Sequence, residues 1–156
     1  MKDVVNFLIE NNLTISTMES CTGGALANAI TNIPDASKIF SFSAVTYSND
    51  FKIKMGVDSK IIDEHSVYSI EVAKDMSKKI SKYTDSIFGV GITGKFNKND
   101  PNNPYGKDNI VYISLYDKRD NSYFVKEVEV MKLKRSDNKN EVIEAFIEMF
   151  KIKFGL

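Results

Sequence analysis

Ser20, Cys21 and Thr22 stand in a row directly before Gly23 and Gly24, inside the stretch ISTMESCTGGALANAI at positions 15–30. β-prone residues precede the group and an alanine-rich helical pattern follows it, so it falls where a strand turns into a helix. A helix N-terminus leaves backbone N–H groups unpaired and carries partial positive charge. Adjacent glycines let a ligand approach that backbone closely. The turn therefore suits a phosphate or an oxyanion, with Ser20 as a candidate nucleophile. The competing reading is that Ser20 or Thr22 only caps the helix. A phosphate-binding P-loop is excluded, because no Gly-Lys-Ser/Thr follows at the needed spacing.

A serine needs a base to become a nucleophile. The chain has one histidine, His65 in IIDEHSVYS, which reads as a surface or helix-end residue. A lysine is the remaining conventional base, and it must be held neutral by burial or by nearby positive charge. A second cluster, AVTYSNDFKIKMGV, offers one: Tyr47, Ser48, Asn49 and Lys52 lie at the end of an expected strand. A tyrosine hydroxyl there can relay a proton or donate to an oxyanion. On composition alone Lys52 reads as a solvated surface lysine. The sequence does not show that Ser20 and Lys52 meet.

The elements that must position these residues follow from periodicity. DVVNFLIENN places Val4, Val5, Leu8 and Ile9 on one helical face. LTISTM is a strand, ALANAITNI a helix ending at Pro34-Asp35, and KIFSFSAVTYS a strand. IEVAKDMSKKISKYT is a helix with Val72, Met76, Ile80 and Tyr83 at helical spacing, and DSIFGVGITG is a buried strand. KFNKNDPNNPYGKDN is a loop rich in turn residues. IVYISLYD and SYFVKEVEVMKL form two strands joined at KRDN. NKNEVIEAFIEMFKIKF closes the chain as an amphipathic helix, apolar at Val142, Ile143, Phe146, Ile147 and Phe150. Early alternation of helices and strands with a late hairpin predicts an α/β class: one layered α/β/α domain over 1–156 with a mixed sheet.

Bulk composition narrows the function. The 156 residues suit one domain, and 42% hydrophobic content supplies a core. Lys plus Arg and Asp plus Glu number 21 each, so the basic excess of a nucleic-acid binder is missing. No apolar run reaches the roughly 18 residues of a membrane span, and the N-terminus is a poor signal peptide. A cytoplasmic protein with no membrane partner is expected. One cysteine and one histidine cannot build a structural zinc site, so no metal or other cofactor is expected.

The paired motifs resemble the CinA C-terminal domain family, whose enzymatic members are nicotinamide-nucleotide amidohydrolases. ESCTGG at 19–24 matches the family pattern fully, and FSFSAVTYSNDFK matches except that Ser43 replaces a glycine. MGV follows. HSVYS stands where the family has GAVS, keeping Ser69, and GITGK keeps Thr93 and Gly94 but has no AGP triplet. NNPYG fits a later P.G element. Arg135 and Lys139 hold the spacing of two basic residues before the last helix. The resemblance covers nearly the whole chain, and longer family proteins carry an additional N-terminal domain that is not expected here.

The resemblance implies hydrolysis of the carboxamide of nicotinamide mononucleotide to nicotinic acid mononucleotide and ammonia. It makes Ser20 the nucleophile, Lys52 its base and Tyr47 an assistant in proton transfer. Glu19, Cys21, Thr22, Gly23, Gly24, Asn49, Thr93 and Gly94 would line the substrate site. Backbone N–H groups near Cys21, Thr22 and Gly23 could hold the oxyanion, and Arg135 or Lys139 the substrate phosphate. Both cations read equally as solvated surface charges. The family resemblance also implies a homodimer or higher homo-oligomer. The rival expectation is a redirected or non-catalytic, competence-related nucleotide-binding protein, motivated by the altered loop with Lys95 and Lys98.

Overall fold

The computed structural model describes residues 1–96, 101 and 103–156; Lys98 and the rest of 97–100, with 102, lie outside them. Six helices and five strands run in the order α1 (Lys2–Glu10), β1 (Ile15–Glu19), α2 (Ala25–Thr31), β2 (Phe40–Val45), α3 (Asn49–Lys54), α4 (Ser59–His65), α5 (Ile70–Thr84), β3 (Phe88–Gly94), β4 (Ile110–Asp117), β5 (Ser122–Glu129) and α6 (Arg135–Phe154). A 3-10 turn at Ala36–Lys38 leads into β2. The strands form one mixed sheet in the order β2-β1-β3-β4-β5. β1 pairs in parallel with β2 and β3, while β3–β4 and β4–β5 are antiparallel. This is the mixed α/β layering expected from the pattern.

Each face of the sheet buries a separate apolar cluster. On one face Phe88, Val90 and Ile92 of β3 pack with Val4, Val5 and Leu8 of α1 and with Val142, Phe146 and Phe150 of α6. On the other, Met18 and Ala44 meet Val72, Met76 and Ile80 of α5. β3 is buried along its whole length, because it is covered on both sides. Its glycines let α5 approach. A Cβ at Gly89 would lie 1.9 Å from the Ser77 carbonyl oxygen, and one at Gly91 2.2 Å from that of Ala73.

Four elements differ from the sequence expectation. Lys52 lies not at a strand end but in α3, a six-residue helix started by Ser48, whose Oγ accepts from Phe51 N–H at 3.3 Å. Arg135 and Lys139 lie within α6, which opens at Arg135, rather than before it. Tyr83 points outward and stacks on Phe42, with ring centroids 5.4 Å apart, because its place on α5 faces the sheet edge instead of the core. β5 ends at Glu129, leaving Met131 and Leu133 exposed.

The topology sets the location of any ligand site. The chain leaves β1 for β2 on one side, then returns to β3 on the other side of β1. The carboxyl ends of β2, β1 and β3 therefore flank a switch point, the usual place for a ligand in an open α/β sheet. Ser20 follows β1 directly, Thr46 follows β2 and Lys95 follows β3.

The close contact between α5 and β3 gives a direct check. Gly91→Ala forces the new methyl into the Ala73 carbonyl, and we expect a loss on the order of 3 kcal/mol in urea unfolding. A loss below about 0.5 kcal/mol would mean that α5 does not rest on the β3 backbone.

Candidate active site

Ser20 and Lys52 meet. The Lys52 Nζ lies 3.1 Å from Ser20 Oγ and donates to the Thr46 carbonyl at 2.7 Å. Both side chains are buried, Lys52 to 1% exposure. Burial carries the cost of desolvating the ammonium and pulls the Lys52 pKa from 10.5 down to about 8. A substantial share of the amine is then neutral near physiological pH and can accept the serine proton. His65 takes no part: it ends α4, half exposed, 3.9 Å from Glu64.

The turn that holds Ser20 is fixed by Glu19. Its fully buried carboxylate accepts from Thr22 Oγ1 at 2.7 Å, from Leu26 N–H at 3.1 Å and from Ala27 N–H at 2.9 Å. The N–H groups of Leu26 and Ala27, which open α2, are thus taken by the protein's own carboxylate. The capping alternative does not hold. The cap position is Gly24, at φ 92° with no side-chain cap, so neither Ser20 nor Thr22 fills it. Gly23, at φ 61°, donates its N–H to the Ser20 carbonyl at 3.0 Å and is spent on the turn. Ser20 N–H pairs with the Ile92 carbonyl at 3.0 Å. Among the described residues the N–H groups of Cys21 and Thr22 have no backbone acceptor, and Cys21 lines the cavity described next.

Ser20, Cys21 and Lys52 open onto a cavity of about 780 Å³. Tyr47, Asn49, Gly94 and Arg135 line it too, as do Lys95, Phe96, Tyr68 and Asp50, which the sequence analysis did not select as site residues. Tyr47 is two-thirds exposed, and its hydroxyl accepts from Arg135 Nη2 at 3.4 Å rather than touching Ser20 or Lys52. The Arg135 guanidinium also lies over the Phe96 ring, 5.0 Å from its centroid. Asn49 donates through Nδ2 to Asn103 at 2.8 Å, tying α3 to the loop before β4.

Other expected contacts fall elsewhere. Glu19 and Thr22 serve α2, and buried Thr93 donates to the Val67 carbonyl at 2.9 Å, holding the segment between α4 and α5. Lys139 is not in the cavity wall; its Nζ lies against the turn, 3.2 Å from where a Cβ of Gly23 would stand. Cys21 lines the cavity, but burial pushes its thiol up to about 12, so it stays protonated and is a poor nucleophile.

A serine in contact with a buried lysine thus stands at the carboxyl edge of a switch-point α/β sheet. The chain belongs to the CinA C-terminal domain family, whose model matches residues 1–154. A competence-damage inducible protein of Clostridium botulinum is 38% identical over 127 residues, covering 80% of this chain and 30% of that protein. The chain thus spans under a third of that relative's length. Among solved structures, a CinA superfamily protein from Klebsiella pneumoniae superposes with TM-score 0.86 at 19% identity, covering 96% of this chain and 92% of the other. One from Escherichia coli gives 0.84 at 22% identity, covering 97% and 87%. These likenesses show the fold. No described helix is long and apolar enough to cross a membrane.

The buried lysine should cost stability. Its folded pKa of about 8 lies below its unfolded value, so the penalty is fully present below pH 8 and fades as pH rises towards 10.5. We expect Lys52→Met to be more stable than the wild type at pH 7, by roughly 3 kcal/mol at most. The difference should shrink above pH 8 in denaturant titrations; equal stability at pH 7 would contradict a desolvated ammonium.

Proposed function

We propose that the domain hydrolyses the carboxamide of nicotinamide mononucleotide, releasing ammonia and nicotinic acid mononucleotide. The observation that carries the reading is the buried 3.1 Å contact between Ser20 Oγ and Lys52 Nζ at the floor of the cavity. The charge of the wall supports a phosphate-bearing substrate. Among the described lining residues Lys95 and Arg135 are cations besides the base Lys52, against one carboxylate, Asp50.

In this reaction neutral Lys52 takes the Ser20 proton as Oγ bonds to the amide carbon. The carbonyl oxygen becomes an oxyanion, held by the N–H groups of Cys21 and Thr22. The C–N bond then breaks, and the leaving nitrogen takes the proton from Lys52 to depart as ammonia. Water, activated by the same amine, attacks the acyl ester; the carboxylic acid leaves and Ser20 regains its proton. Tyr47, beside Arg135 at the cavity wall, orients the substrate rather than the serine.

Ammonia release is the test. The wild type should release ammonia from nicotinamide mononucleotide, with kcat/KM rising with pH through an apparent pKa near 8, because the base must be neutral. Ser20→Ala should abolish release yet still bind the nucleotide. A wild type that binds the nucleotide without releasing ammonia would overturn the reaction and favour a redirected or purely binding role.

A further inference from the structure

Lys95 has no task in the hydrolysis just described, yet its setting is unusual for a lysine. It follows β3 at the cavity wall, and its side chain is only 2% exposed. Among the described residues its ammonium has two neighbours. One is the Tyr68 ring, 5.1 Å from the ring centroid, and the other is Asp108 Oδ1 at 3.4 Å. Asp108 is 60% exposed. A charge almost withdrawn from water is thus paired, by one long contact, with a carboxylate that water already solvates. Such a pair offsets little of the ammonium's desolvation cost. A ligand anion reaching Nζ from the cavity would offset more, and Asp108 can return to solvent at small cost.

The other cations are less available. Lys52 is committed to Ser20 and the Thr46 carbonyl, Arg135 is stacked on Phe96 and bonded to Tyr47, and Lys139 is outside the cavity wall. We propose that Lys95 is a specificity-determining residue of the site: its ammonium exchanges Asp108 for the phosphomonoester of the substrate, so that Asp108 acts as a displaceable resting partner. This rests on the reading of the cavity as a mononucleotide site. It selects phosphorylated over unphosphorylated forms of the same sugar.

Calorimetric titration with ribose 5-phosphate and with ribose separates this from the hydrolysis, since neither carries an amide. The wild type should bind ribose 5-phosphate more tightly than ribose. Lys95→Met should lose about tenfold in affinity for the phosphorylated sugar alone. Asp108→Asn, a change at an exposed position, should bind it severalfold more tightly. Equal affinity of the wild type for the two sugars would overturn the proposal, as would an unchanged affinity in folded Lys95→Met. If Lys95→Met does not fold, an unchanged affinity in Asp108→Asn overturns it. A protein that passes these tests but releases no ammonia from nicotinamide mononucleotide would refute the reaction and leave the phosphate contact standing.

Discussion

The site depends on the burial of one lysine. A solvated lysine beside a serine is an ammonium at neutral pH and cannot accept a proton. Lys52 escapes that limit because α3 turns it inward, under the ends of β1 and β2, to 1% exposure. Among the described residues its polar contacts are the Thr46 carbonyl and Ser20 Oγ, which fix the amine in direction with no carboxylate to hold its charge. Desolvation is the largest cause of the lowered pKa. The same burial destabilises the fold, a cost of the kind proteins carry at functional sites.

Glu19 plays the complementary part. A carboxylate one residue before Ser20, fully buried, would be costly if it were not saturated with donors. Here the first turn of α2 and Thr22 supply three hydrogen bonds of ordinary length. The result clamps the strand-to-helix turn and holds Ser20 at the carboxyl edge of β1. It also closes the N-terminus of α2 to outside anions.

Much of the architecture was legible in the sequence because it rests on long periodic segments. α5 and α6 show their apolar stripes, and IVYISLYD matches β4 residue for residue. The turn from Ser20 to Gly24 was legible as a strand-to-helix turn, because a β-prone run, two glycines and an alanine-rich helical pattern follow one another there. α3 was not, because six residues are too short for a helical period and β-branched residues before them extend the strand pattern. The cap signal at Ser48 was its one local mark. The purpose of Glu19 was hidden for another reason: a carboxylate beside a nucleophile reads as a ligand group until its donors, seven and eight residues later, are seen in space. Lys95 read as loop charge, because only the fold shows how little of its side chain water reaches.

In the proposed reaction Ser20, and not the neighbouring thiol, forms the covalent bond. Acid-quenched reaction with nicotinamide mononucleotide, followed by peptide mass spectrometry, tests it most directly. An acyl group is expected on the peptide containing Ser20, carried by the serine oxygen and still formed in Cys21→Ala. An acyl group on Cys21, or steady ammonia release by Ser20→Ala, would contradict it.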